Sequence, residues 1–126
     1  MKKKSEHQIQ NEILMAVSKH DCTVFRTNAG KIRTVDGRTV MLLPKGFPDC
    51  MGFVHSTGKI FFIEVKNAKG KPRKDQIRFH KMLQKYSIIH GLCRSKEDAI
   101  KVINGELVGY GFKQEIKNDL AEYLGE

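Results

Sequence analysis

Three side chains in this sequence could act on one reacting group: Asp49, Glu64 and Lys66. Asp49 follows Pro48, and Glu64 lies fifteen positions later in the run Ile60 to Lys66, I-F-F-I-E-V-K. That run is apolar, rich in β-branched and aromatic residues and bounded by Gly58 and Gly70, so it reads as a buried strand. Side chains alternate along a strand, which puts Glu64 and Lys66 on one face and Val65 on the other. A buried strand accepts a carboxylate and an ammonium only where something compensates their charge. A divalent cation beside a phosphate does so. The chemistry suggested is metal-assisted reaction on a nucleic acid.

The elements that must position these groups follow from periodicity. Ser5 has the look of a helix N-cap, and Ile9, Ile13, Ala16 and Val17 then form one apolar stripe. Glu6, three residues before Ile9, belongs to that stripe and is expected on the core side, whereas Glu12 falls nearer its edge. A carboxylate there is either functional or a partner of the helix dipole. Cys22 to Thr27 reads as a strand, and Asp36-Gly37 as a turn between Lys31–Val35 and Arg38–Leu43. The Pro/Gly segment from Pro44 to Pro48 breaks regular structure. Strands follow over Asp49–His55 and Lys59–Lys66, then a basic loop from Asn67 to Pro72.

Pro72 suits the first turn of a helix to about Tyr86, with Phe79, Met82, Leu83 and Tyr86 as its apolar face. Ile88–Arg94 reads as a strand and Ser95 opens a short helix ending near Gly105, while Lys113–Leu124 reads as a weak amphipathic helix. This order predicts one α/β domain over residues 1–126, a central mixed sheet with helices on its faces.

Charge narrows the partner. The 126 residues carry a net charge of +9 and a pI near 9.6, which points to a polyanion, DNA or RNA before membrane. The charge is localised. Lys66, Lys69, Lys71, Arg73, Lys74, Arg78, Lys81 and Lys85 face one acid, Asp75, in that stretch, and from Glu106 onward acids dominate. No apolar run approaches the roughly 20 residues of a membrane-spanning helix. The basic start leads into polar residues and not a secretory signal, so a cytoplasmic location is expected, that of a bacterial host if the chain is phage-encoded. Cys22, Cys50 and Cys93, odd in number and widely separated, read as small buried hydrophobes. The histidines lack metal-ligand spacing. His7 and His20 read as solvated, and His80 as exposed on a basic helix, within reach of phosphate.

An acid on the first helix, Gly46-Phe47-Pro48-Asp49, Glu64-Val65-Lys66 and Arg73-Lys74-Asp75-Gln76 occur in that order between these elements. The set resembles the PD-(D/E)xK nuclease superfamily and, in its finer form, the virus-type replication-repair nuclease (VRR-NUC) domain, over about Glu6 to Ile103. Compact stand-alone members of that kind are known from phages. The resemblance implies a restriction-endonuclease-like core of αβββαβ order. It also implies a metal-dependent DNA endonuclease, structure-specific like Holliday-junction resolvases, serving phage DNA replication, recombination or repair as a homodimer.

Phosphodiester hydrolysis needs an activated water and stabilised charge on the phosphate. Asp49 and Glu64 would supply hard oxygens to Mg²⁺ or Mn²⁺ with the Val65 carbonyl, and Lys66 would orient or deprotonate the water. By resemblance, Glu6 would reach the metal, often through water, and Gln76 would align Lys66 or the substrate. Capping of its own helix is the other reading of Gln76, and Glu12 competes with Glu6. DNA contacts are expected from Lys69, Lys71, Arg73, Lys74 and Arg78. The insertion from Gly30 to Pro44, with Lys31, Arg33 and Arg38, would be either a DNA-gripping or a plain solvated hairpin. A nickase or flap nuclease is the neighbouring alternative. A basic nucleic-acid-binding module with structural carboxylates is the non-enzymatic one.

Overall fold

The structure is a computed structural model describing residues 3–113. Ser5 caps the first helix, α1 (Glu6–Ser18), through a reciprocal pair: its hydroxyl accepts from Gln8 N at 3.1 Å and the Gln8 amide oxygen accepts from Ser5 N at 2.8 Å. Four of the chain's strands then follow as two antiparallel neighbours and a separate hairpin. β1 (Cys22–Arg26) pairs with β4 (Cys50–Val54), and the hairpin of β2 (Lys31–Arg33) and β3 (Thr39–Met41) stands between them in sequence as its own two-stranded sheet. β5 (Ile60–Val65) runs antiparallel to β4 and parallel to β6 (Ile89–Cys93). Helix α2 (Lys74–Lys85) makes the crossover from β5 to β6, and α3 (Lys96–Gly105) that from β6 to β7 (Val108–Tyr110). The main sheet has the order β1-β4-β5-β6-β7.

Strand alternation divides the sheet into two unlike faces. On one, Cys50, Phe61, Ile63, Val65, Ile89 and Cys93 pack against Ile9, Ile13 and Val17 of α1 and Ala99, Val102 and Ile103 of α3. This is the main apolar core. Its three cysteines are buried and unbridged, as their context predicts. On the other face Phe62, Glu64, Lys66, His90 and Leu92 meet α2, and the β1–β4 end of that face is left uncovered, with Phe25, Phe53 and Ile60 exposed. Among the described residues no helix is long and apolar enough to cross a membrane.

Two expectations about elements change. The covered side of α2 consists of Gln76, His80 and Leu83, with Met82 and Tyr86 turned to solvent at 46% and 64% exposure. Leu83 and half-buried Phe79 face inward as the apolar stripe predicts. The stripe breaks at Met82 and Tyr86, and Gln76 and His80 take inward places over the polar Glu64, Lys66 and His90. β7 is an additional strand, too short and glycine-rich to stand out as V-G-Y. The helix expected over Lys113–Leu124 lies outside the described residues, apart from Lys113 itself.

Candidate active site

β4 and β5 bring two carboxylates together by register. Cys50 pairs with Ile63, so Asp49, one step before β4, falls opposite Glu64. The preceding loop fixes Asp49 in that place. Gly46 has φ 94°, and a Cβ there would lie 2.6 Å from the Asp75 carbonyl oxygen at the start of α2, so glycine is required on both counts. Phe47 packs edge-on against Phe62 and Phe79, at 5.7 and 5.0 Å between ring centres. The Asp49 carbonyl accepts from Thr27 N at 2.9 Å and from the Gln10 side chain at 3.4 Å, and Thr27 Oγ1 donates to the Pro48 carbonyl.

The Asp49 carboxylate accepts from Val65 N at 2.7 Å, ending the β4–β5 ladder with a side chain. The N–H and C=O of one strand residue leave the same edge, so the Val65 carbonyl is directed to the Asp49 side as well. Glu64 is buried and accepts from Gln76 Nε2 at 2.9 Å, while Gln76 Oε1 accepts from Arg73 N at 2.9 Å. Gln76 therefore caps α2, one of its two readings in sequence, and its amide N–H is bound to Glu64 and not to Lys66, the side chain it is expected to align. Burial, then hydrogen bonding to Asp49 and repulsion from it, push the Glu64 carboxyl up to about 10, against the pull of Lys66 and Arg73. Lys66 is buried beside Glu64, with its stem against Gly70. Asp49 is the partly exposed member, so the cluster opens at Asp49 and closes behind it.

A cavity of about 10 Å³, the space of one water, separates Glu64 and Gln76 from His80, His90 and Phe112. His80 corrects an expectation: it is buried, not exposed. His80 Nδ1 and His90 Nε2 are 2.7 Å apart, and Phe112 stacks on the His80 ring at 3.8 Å. His90 Nδ1 lies 2.8 Å from the Ile88 carbonyl and donates to it, which leaves Nε2 to accept from His80. His20, expected in solvent, pairs with Asn104 at 2.7 Å.

Glu6 is also corrected. It is exposed, because the buried stripe of α1 begins only at Ile9 and the first turn overhangs the core. It lies one turn before Gln10, which touches Asp49, and Glu12 is ion-paired to Lys4 at 2.8 Å. Among the described residues no three His, Cys, Asp or Glu side chains converge as a metal cage. Two facing carboxylates on a buried strand end nevertheless suit a hard cation, with a carbonyl and waters completing its shell.

Lys69, Lys71, Arg73, Lys74 and Arg78 are all exposed around the start of α2, as are Lys31, Arg33 and Arg38 on the hairpin. Sequence reasoning missed two residues here. Lys3 is held below its ordinary value by the neighbouring Lys69 ammonium, so two positive groups converge at this rim. Arg94 Nη1 donates to the carbonyls of Asn67 and Gly70, at 2.5 and 2.7 Å, and clamps the loop behind Lys66.

No protein-family model matches this sequence, and no curated protein matches it. Among solved structures it is similar to a VRR_NUC domain, with a TM-score of 0.57 and 21% identity, over 80% of this chain and 97% of that one. The five-stranded mixed sheet flanked by helices is thus the restriction-endonuclease-like fold of a VRR_NUC domain, as the motif order predicts.

Proposed function

We propose that the chain is a metal-dependent DNA endonuclease acting on branched or otherwise structured DNA. The observation that carries this is the Asp49–Glu64 pair: two carboxylates facing each other, one of them buried beside Lys66, make sense around a cation. Asp49, Glu64 and the Val65 carbonyl would hold Mg²⁺ or Mn²⁺, and Glu6 would reach it through water. When bound, the cation acidifies the attacking water and offsets charge on the phosphate. Gln76 occupies one oxygen of Glu64 and leaves the other for that role. Lys66 orients the water, takes up or relays its proton and donates to the phosphate oxygens.

Phosphate contacts come from the exposed rim: Lys69, Lys71, Arg73, Lys74 and Arg78, with Lys31, Arg33 and Arg38 on the hairpin. Such contacts position a duplex without reading its sequence, which favours recognition by shape. A homodimer would set two sites on two strands, and exposed Phe25, Phe53 and Ile60 offer an apolar face for it. The setting that the family resemblance suggests is phage DNA replication, recombination or repair.

The test is cleavage of linear, flap and four-way-junction DNAs with Mg²⁺, Mn²⁺ or EDTA. Cation-dependent cutting that Asp49→Ala and Glu64→Ala abolish, with DNA binding retained, supports the reading. Binding without cutting under every condition favours a non-catalytic nucleic-acid module.

A further inference from the structure

We infer that the β2–β3 hairpin is a wedge that inserts Val35 into the base stack where a DNA duplex is interrupted. The inference rests on the nuclease reading above for the identity of its ligand. Val35 is 110% exposed, an apolar side chain at the outermost point of the hairpin. The turn that presents it is closed by hydrogen bonds and an ion pair. Thr34 N donates to the Arg38 carbonyl at 2.8 Å, Gly37 N to the Thr34 carbonyl at 3.0 Å and Arg38 N to Thr34 Oγ1 at 3.0 Å. Thr34 Oγ1 also donates to Asp36, whose carboxylate pairs with Arg38 at 2.9 Å. That bracing holds Val35 out at a fixed point of the turn.

The flanking charge identifies the occupant. Asp36 is the hairpin's one acid and is already paired, whereas Lys31 and Arg33 share a face of β2, opposite the Ile32–Val40 pair. An apolar tip between cations suits a stacked base flanked by phosphates better than a protein surface. The hairpin's root is also tied to the site. Leu43 N donates to the Asn28 carbonyl at 3.3 Å, and Thr27, one residue earlier, donates to the Asp49 carbonyl at 2.9 Å. From Gly30 to Val35 the strand reaches roughly 16 Å, or about five base-pair steps of duplex. Unstacking is costly within a continuous helix and least so at a branch, nick or flap, so the wedge favours interrupted DNA.

Binding in the full-length Asp49→Ala chain tests this with a fluorescent base analogue placed near the branch of a four-way junction or flap, against continuous duplex. Fluorescence should rise for an analogue within about five base pairs of the cut site. Val35→Ser should remove that rise and lower the junction-over-duplex preference about tenfold, the worth of one buried valine. The fully exposed position leaves folding intact, which a thermal melt checks. An unchanged preference overturns the wedge, as does a Val35→Ser change in self-association alone, which would make the tip a protein contact. These readouts need no cleavage. A wild-type chain that unstacks DNA but never cuts it refutes the nuclease reading alone, and one that binds no DNA refutes both.

Discussion

Glu64 is the residue whose ionisation the fold opposes most visibly. Its carboxyl is pushed up to about 10 by burial and by Asp49, from an ordinary value of 4.5. Between those two values the folded chain holds a proton that the unfolded chain releases, so Glu64 costs stability as pH rises through that window. Without divalent cations, the melting temperature of the wild type should fall from about pH 6 to about pH 9 more than that of Glu64→Gln. Equal slopes in the two proteins would show that Glu64 is already ionised. Lys66 makes a second test. Lys66→Met should stay folded and still bind DNA, while single-turnover cleavage falls about 10²- to 10³-fold, the usual loss when one preorganised electrostatic group is removed. Arginine should not rescue it, since a guanidinium is bulkier and does not deprotonate at working pH. A folded Lys66→Met chain that cuts at the wild-type rate removes lysine from the mechanism. The shared face of Glu64 and Lys66 is legible in sequence because alternation along one strand fixes it without knowledge of the fold. The place of Asp49 opposite Glu64 depends instead on the β4–β5 register. The places of Glu6 and His80 are not legible, because a helix stripe says which side faces inward, not where the core ends or whether its floor is polar.

At the scale of elements, the strands that carry the site are readable in sequence, and the contacts that brace them are not. Asn67 to Pro72 reads as a basic loop, yet its shape depends on Arg94, at the far end of β6, 24 residues after Gly70. Nothing in the local pattern links the two. Arg94 is held in turn by α3, since its N–H donates to Asp98 at 2.9 Å and Tyr110 donates to the same carboxylate at 2.9 Å. The clamp therefore runs from β7 through α3 to the loop against Lys66. Arg94→Ala leaves two carbonyls without their donor, which should cost about 1–3 kcal/mol by denaturant unfolding. Amide exchange should quicken at Lys69 and Gly70, whose N–H groups donate to the Asn67 side chain, while α1 keeps its protection. Arg94→Lys should recover part of this, because a single nitrogen, Nη1, makes both bonds and an ammonium also carries enough N–H groups for two carbonyls. Unfolding and exchange both matching the wild type would mean that the Asn67 turn holds the loop unaided.

For the whole molecule, the distribution of charge matters more than its sum. A net +9 by itself predicts only affinity for polyanions. The structure puts Lys69, Lys71, Arg73, Lys74 and Arg78 in solvent at the start of α2, brings Lys3 beside Lys69, and buries Lys66 behind them. If a duplex lies along that rim, binding should weaken steeply with salt, because each phosphate neutralised there releases counterions. Lys69→Gln with Lys71→Gln should lower the log–log salt slope by about 1.8, near 0.9 for each phosphate left without its lysine. Sequence preference should hold, since phosphate contacts carry no base information directly. Lys19→Gln with Lys101→Gln, at the end of α1 and on α3, changes the net charge equally but touches the faces away from the rim. That double variant should leave the slope where it was. Identical slope changes in the two double variants would mean that DNA responds to overall charge, and the rim would then not be the path of the backbone.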